Sequence, residues 1–316
     1  MKSKSFSVTA VITTYNEEER IENCIKSIID VFSKAGLSYE IVMVDSSSED
    51  RTISKSDKYP IKIISLKGQR SPSLGQHVGF LNSKGDVIFF IDGDMELIID
   101  PSEVCPLLEK LNDKVAGLQG YFIDYQTDGT KNNLHKVSEE SKVSFLPGSA
   151  FYSRAALVEE NFNPFLSSNE ERDLGYRLKD AGFSLLRVPI AMVNHHRKKS
   201  TSGFSELLRR HRNNLFRGSG QVFRCQKTLY SFFQHFLYLK YDFMFATSLV
   251  LILFSFFYNY LYFLSAIVFS HILLLSYYKF NYGNINRYFI KYFIFWGILT
   301  GFLTYRKHKV EYDFIK

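Results

Sequence analysis

Hydrophobic residues in the first hundred positions fall into four short runs, Ser7–Thr14 (SVTAVITT), Tyr39–Val44 (YEIVMV), Ile61–Leu66 and Asp86–Ile91 (DVIFFI). Each is rich in β-branched or aromatic residues and short, the mark of a buried strand. Between the first two runs the period changes. Ile21, Cys24, Ile25, Ile28, Ile29 and Phe32 recur at helical spacing, which places them on one face. Asn16 is expected to cap this helix, with Glu17, Glu18 and Glu19 in its first turn where acids suit the helix dipole, and Gly36 to end it. A helical stretch around Leu74–Asn82 separates the third and fourth runs, and Leu185–Val193 reads as the last core strand. Strands alternating with helices predict an α/β domain with a Rossmann-like, mostly parallel sheet covered on both faces.

Beyond residue 229 the pattern changes character. From Phe243 to Tyr278, 36 residues pass without Asp, Glu, Lys or Arg. One crossing of a bilayer takes roughly 17–25 apolar residues. The stretch therefore predicts two short spans, about 243–259 and 261–278, turning near Tyr258-Asn259-Tyr260. The alternative is a buried soluble helix pair, but two runs that are apolar all round need lipid or a large core. A third stretch, Tyr292–Tyr305 within about 289–305, carries Gly297 and Gly301 at the G-x-x-x-G spacing that allows close helix contact. If it spans, the tail Arg306-Lys307-His308-Lys309 lies opposite the α/β domain, against the positive-inside tendency. If it is re-entrant or interfacial, all basic flanks share one side, which is the preferred arrangement. The expected division is an α/β domain over 1–228, including a basic juxtamembrane segment at 195–228, then an all-α transmembrane region over 229–316.

Charge sharpens this division. The formal net charge is +7, yet between His195 and Thr228 nine Lys or Arg residues meet a single acid, Glu206. That segment alone carries +8, so the remainder is close to neutral. A basic strip suits nucleic acid, anionic lipid or a phosphorylated substrate. Its place directly before the hydrophobic region favours an anionic membrane surface, and no nucleic-acid-binding motif accompanies it. Cys24, Cys105 and Cys225 show no metal-ligand spacing and cannot form a closed disulfide set. The apolar run Val8–Ile12 is too short for a signal peptide.

In an open parallel sheet, ligands bind beyond the carboxyl ends of the strands. The first run ends in Tyr15-Asn16-Glu17, the second in Asp45-Ser46-Ser47-Ser48-Glu49-Asp50 and the fourth in Asp92-Gly93-Asp94. One acid after a strand is usually a cap or turn residue, but three clusters on one edge are harder to explain so. The D-x-D pair Asp92/Asp94 follows the most hydrophobic run, and two hard oxygen ligands completed by phosphate and water suit Mg²⁺ or Mn²⁺. A plain Asp-Gly hairpin turn is the competing explanation. Farther on, Ser168-Asn169-Glu170-Glu171-Arg172-Asp173-Leu174 opens a helix. Ser167 and Ser168 precede Glu170 and Glu171 by three residues, the capping-box spacing, so capping and catalysis both stay open for these carboxylates.

Taken in order, Thr14-Tyr15-Asn16-Glu17, Val44–Thr52, Asp92-Gly93-Asp94-Met95, Pro147-Gly148-Ser149 and Glu170–Leu178 resemble the motifs of family 2 glycosyltransferases, over about residues 6–225. The resemblance implies the GT-A fold and an inverting, metal-dependent enzyme. It implies that Asp45 holds the donor base with Tyr15 and Glu17 beside the nucleotide, and that Thr14, Ser48 and Gly93 also contact the nucleotide-sugar. Asp92 and Asp94 are implied as ligands of a Mg²⁺ or Mn²⁺ gripping the donor diphosphate. Glu171, or Glu170, is implied as the general base. Arg70, Gly148, His195, His196 and Arg224 are implied contacts to the diphosphate or acceptor. Three departures stand out: Glu170-Glu171 where the family often has Glu-Asp, Gln76-His77 where it often has Arg-Asn, and Cys225 where Gln221-Val222-Phe223-Arg224 would lead into a Trp in processive synthases.

The function that follows is transfer of a sugar from a UDP- or other NDP-sugar to a hydroxyl of a lipid-linked or saccharide acceptor, in cell-envelope polysaccharide or glycolipid synthesis. The implied location is the cytoplasmic membrane, multi-pass, with the catalytic domain facing the cytoplasm. Two alternatives stand beside it. A polyprenyl-phosphate glycosyltransferase uses the same donor but a phosphate nucleophile, and an inactive scaffold keeps the fold alone.

Overall fold

The computed structural model describes residues 6–196 apart from 69 and 127, residues 204–240, residues 285–316 and scattered positions between 242 and 272. The chain forms two compact units, Met1–Lys199 with Arg306–Lys316, and Ser200–Tyr305.

The first unit is built on one sheet. Strands β1 (Ser7–Thr14), β2 (Ser38–Asp45), β3 (Lys62–Leu66) and β4 (Val87–Asp92) are parallel neighbours in the order β3-β2-β1-β4. Helices α1 (Ile21–Lys34), α2 (Thr52–Ser56) and α3 (Pro72–Leu81) make the crossovers. The α1 face expected from its spacing is the one that packs: Ile21, Cys24, Ile25, Ile28 and Phe32 are all buried. In β4, Val87–Ile91 are buried without a break, and each such side chain contributes roughly 1.5–3 kcal/mol. Helix α3 lies close against β1 because a Cβ on Gly79 would stand 2.2 Å from Val11 Cγ1.

Past β4 the sheet stops being parallel. After β5 (Met95–Leu97) and α4 (Pro101–Leu108) come β6 (Val115–Tyr125), β7 (Lys131–Leu134), β8 (Ser141–Val143) and β9 (Ala150–Ser153). Helices α5 (Arg154–Glu159) and α6 (Glu170–Asp180) then lead to β10 (Ser184–His196). Strand β9 runs antiparallel between β4 and β6, β10 is parallel to β6, and β5 closes the edge antiparallel to β10. The sheet is therefore mixed, which corrects the mostly parallel expectation. The short β7 returns directly on β6, and only antiparallel neighbours can be joined so, while β8 and β9 pair antiparallel with strands distant in sequence.

The opening of α1 also differs from expectation. The helix begins at Ile21, and Asn16 is left-handed (φ 53°) in the loop before it, not a cap. Asn tolerates that conformation better than most residues.

At the far edge β11 (Tyr312–Phe314) pairs antiparallel with β3, and Ile63 N–H donates to Lys316 O at 2.8 Å. Val310 and Tyr312 pack on the buried cluster of Val42, Val44, Ile64, Leu66, Leu74 and Val78. Residues 199 and 306 thus belong to one compact unit.

The second unit holds α7 (Phe204–Arg212), α8 (Gly218–Cys225), α9 (Leu229–Tyr238) and α10 (Ile285–Thr304). The G-x-x-x-G contact is made: a Cβ on Gly301 would lie 2.0 Å from Arg217 O, and one on Gly297 2.4 Å from Phe216 Cβ. The two expected spans at 243–278 lie almost wholly outside the described residues. Among the described residues no helix is long and apolar enough to cross a membrane, and this includes α10, the third stretch. Its sequence carries Arg287 and Lys291.

Removing residues 310–316 uncovers the β3 edge and its apolar cluster. We expect the first unit to lose about 2–3 kcal/mol of stability, read as a lowered Tm in the full-length background. An unchanged Tm would mean the tail is not part of the sheet.

Candidate active site

The loops after β1 and β2 are tied to each other before they meet any ligand. Asp45 is fully buried, and its carboxylate accepts from Ser48 N–H at 2.7 Å and from Ser48 Oγ at 2.5 Å. Burial raises the Asp45 pKa. Ser48 Oγ in turn accepts from Asn16 N–H at 2.8 Å, while Asn16 Oδ1 accepts from Glu49 N–H at 2.8 Å. Glu17 N–H donates to Thr52 Oγ1. Arg70 stands over this junction, 4.7 Å from the Tyr15 ring centroid, donating to Tyr15 OH at 2.6 Å and reaching Glu49 at 3.4 Å. Tyr15 is 41% exposed, so an aromatic ring with a guanidinium over it faces solvent at the ends of β1 and β2.

Asp92-Gly93-Asp94 is a turn, but not of a hairpin: β5, which follows it, pairs with β10 rather than with β4. Asp92 Oδ1 accepts from Thr13 Oγ1 at 2.6 Å. Gly93 is obligatory, since a Cβ there would sit 2.7 Å from Thr14 Oγ1, which is itself buried without a hydrogen-bond partner. Although Asp92 keeps some exposed area, its carboxyl group lies among protein atoms, and burial with the neighbouring Asp94 pushes its pKa up to about 7. Asp94 lies 3.4 Å from His195 Nε2, and His195 Nδ1 lies 2.7 Å from the buried Asp124. Burial lowers the His195 pKa, but Asp94 and Asp124 outweigh it and the net shift is upward.

Strand alternation separates the two histidines. His195 turns to Asp94 and Asp124, whereas His196 stacks on Tyr125 at 4.8 Å and lies 3.6 Å from Glu96. His196 helps line a cavity of about 340 Å³ with Glu19, Arg20, Asn23, Glu96, Tyr125 and Gln126.

Helix α6 brings the remaining carboxylates. Its N-cap, Asn169, is left-handed (φ 64°) and makes no side-chain capping bond to the helix. Glu171 Oε1 accepts from Gly148 N–H at 3.1 Å. Gly148 holds φ 66°, a conformation costly for other residues, and the buried Gln119 clamps its turn by donating to Pro147 O and Ser149 O at 2.6 and 2.8 Å. Glu170 is only 6% exposed, and burial together with Glu171 raises its pKa well above the ordinary range. Burial raises that of Glu171 as well. Asp92 and Glu171 sense each other electrostatically, so the β4 and α6 carboxylates share one field. Behind them Arg177 donates to Asp173 at 2.7 Å and to Glu160 at 2.6 Å, fixing α6 to the preceding loop.

His77 is half-buried, with Nδ1 2.9 Å from Phe162 O, and serves this packing. Arg224 belongs to the second unit, where its guanidinium lies 5.2 Å from the Phe302 ring centroid. Sequence reasoning missed Gln119 and Asp124. Their signal is a polar residue at a core-facing position of an apolar strand, VAGLQGYFIDY.

Among the described residues no group of three or more His, Cys, Asp or Glu side chains is placed to hold a metal ion unaided. Two hard carboxylates on one turn, Asp92 with its pKa raised, nevertheless fit a divalent ion whose shell is completed by a diphosphate and water.

The family model described as Glycosyl transferase family 2 matches residues 9–170, just over half the chain. The chain belongs to this family. It is 39% identical over 105 residues to a dolichol-phosphate mannosyltransferase of Pyrococcus furiosus, covering 32% of this chain and 28% of that one. It is 31% identical over 124 residues to an undecaprenyl-phosphate 4-deoxy-4-formamido-L-arabinose transferase of Edwardsiella ictaluri, covering 37% and 35%. The chain thus spans about a third, or less, of these relatives' length. Among solved structures, the mannosyltransferase PcManGT of Pyrobaculum calidifontis with GDP-Man and Mn²⁺ matches at TM-score 0.61 and 14% identity, over 95% of this chain and 88% of that one. S. aureus TarS with UDP-GlcNAc matches at 0.54 and 14%, over 88% and 93%. At such identity the likeness is one of fold, and it is the GT-A fold expected of family 2.

The raised Asp92 pKa makes a stability prediction. A carboxyl whose folded pKa lies above its unfolded one favours folding at low pH, and that contribution is lost as pH rises to the folded value. For Asp92 the window runs from 3.8 to about 7. With EDTA present, Asp92→Asn should therefore be more stable than the parent at pH 8, by of order 1–3 kcal/mol, and equal to it near pH 4, as read by thermal melts. A variant less stable at both values would contradict the electrostatic account.

Proposed function

We propose that this family 2 glycosyltransferase moves a sugar, with inversion, from a nucleotide-sugar donor to a hydroxyl of a lipid-linked or saccharide acceptor. The observation that carries this reading is Glu171: one oxygen is held by Gly148 N–H, burial raises its pKa, and the group shares a field with Asp92. In this reading the Asp45–Ser48–Asn16 knot shapes the nucleotide end, with Tyr15, Glu17 and Arg70 beside the base or ribose and Thr14 and Gly93 beside the phosphates. Asp92 and Asp94 hold Mg²⁺ or Mn²⁺, with His195 steadying Asp94. When bound, the ion neutralises charge on the departing diphosphate. Glu171 Oε2 removes the acceptor proton as the hydroxyl attacks the anomeric carbon from the opposite face, and burial strengthens it as a base. Glu170, more deeply buried, acts through its repulsion of Glu171.

The relatives, a dolichol-phosphate and an undecaprenyl-phosphate transferase by name, favour a second reading, in which the nucleophile is a polyprenyl phosphate. Such a phosphate is already ionised and needs no general base. Intact Asp92 and Asp94 speak against an inactive scaffold. In either reading we place the enzyme at the cytoplasmic membrane with its catalytic unit on the cytoplasmic side. This is supported by the charge-free 243–278 stretch, by the basic segment before it, and by a tail that returns to the catalytic unit.

Glu171→Gln distinguishes the two acceptors. With a hydroxyl acceptor, kcat should fall roughly 10²–10⁴-fold with the donor KM little changed. With a phosphate acceptor the loss should stay below about tenfold. Nucleoside diphosphate release, followed with a membrane-lipid extract and Mn²⁺, provides the measurement. Release that persists undiminished in Asp94→Ala would refute the proposed role of the D-x-D pair.

A further inference from the structure

Helix α9 is built inside out. Its buried positions are Ser231 and His235, both at 0% exposure; His235 Nε2 lies 2.8 Å from Ser219 O and the imidazole packs against Phe223 at 4.5 Å between centroids. Its outward positions are apolar: Leu229, Phe233 and Leu237 are 78%, 58% and 55% exposed. A helix whose outer face meets water arranges these the other way round. The helix contains no Asp, Glu, Lys or Arg. The surroundings agree. Sixteen of the twenty-one exposed large hydrophobic side chains among the described residues fall between 229 and 303, whereas the unit that contains them is about a third of the chain.

We propose that α9 lies in the plane of an anionic bilayer, with its aromatic face in the boundary between head groups and acyl chains. Length excludes a crossing: ten residues make about 15 Å of helix, half of the roughly 30 Å hydrocarbon core. Charge identifies the lipid. Arg209, Arg210 and Arg212 are exposed at the end of α7 in the same unit, and Lys227 is exposed just before α9. Cations beside an uncharged aromatic face match a surface with anionic head groups above an apolar layer. Tyr230 and Tyr238, half-exposed near the two ends of the helix, are the residue type that settles at that boundary. A second copy of the chain would bring the same cations against themselves.

This inference deepens the membrane placement proposed above, but its test involves no sugar transfer. Trp296 is the single tryptophan, so the full chain carrying Trp296→Phe and Phe233→Trp has one reporter on the outer face of α9. It is reconstituted in phosphatidylcholine vesicles with or without phosphatidylglycerol, doped with lipids brominated at shallow or deep acyl carbons. We expect shallow bromines to quench at least twice as strongly as deep ones, and quenching to rise at least twofold with phosphatidylglycerol. Stronger quenching by deep bromines would mean that α9 crosses, and would overturn the proposal. So would quenching by aqueous iodide but not by bromolipid, as for a solvated face, or no quenching by either, as for a face covered by a second copy. Equal quenching in the two vesicle types would overturn it too. Absence of nucleoside diphosphate release in the parent chain, with the shallow pattern intact, would count against the transferase reading alone.

Discussion

Asp92, Glu170 and Glu171 come together where water cannot fully screen them, and burial disfavours the charged form of each. A pair of buried carboxylates is tolerated only when other groups hold them in place and a proton or cation offsets the repulsion. The supporting structure follows from this. Thr13 donates to Asp92, Gly148 to Glu171, and Arg177 neutralises Asp173 one turn farther along α6, so the crowding is confined to the acids at the mouth.

The support reaches well beyond the acids. Gln119, in the middle of β6, fixes the turn that presents Gly148, and Asp124 at the end of the same strand sets the His195 ring against Asp94. One strand therefore serves both sides of the site, Glu171 through its centre and the D-x-D pair through its end. The end formed by the β1 and β2 loops is organised by different means. Asp45, buried and bound to Ser48, shapes a loop beside which Arg70 lies over the exposed Tyr15 ring.

Much of the parallel half of the sheet could be read from the chain. Ser7–Thr14 is bounded as its pattern indicates, and the apolar face of α1 is the one that packs, because burial on both faces leaves long hydrophobic runs. The antiparallel half was not legible: β7, β8 and β9 have three or four residues each, too few for a period to emerge. One local signal pointed the wrong way. Asn16 has the chemistry of a cap, yet its tolerance of left-handed backbone is what the loop uses. Ser167 and Ser168 have capping-box spacing to Glu170 and Glu171, and spacing alone could not reveal that Gly148, distant in sequence, holds Glu171. The clustering of strand-end acids was visible, whereas the partners that orient them were not, because those contacts span 23 to 79 positions of chain.

Strand β11 gives the molecule an order in time. The edge of β3 that it covers belongs to the first third of the chain, but the covering strand is translated only after everything between 200 and 305 has been made. On the ribosome, the nascent sheet must wait with Ile63, Ile64 and Leu66 unpaired along one side while the most apolar part of the polypeptide emerges. Such an edge is a template for wrong partners. Prompt capture of that apolar part by a membrane or a chaperone would then shield the unfinished edge's most dangerous neighbour.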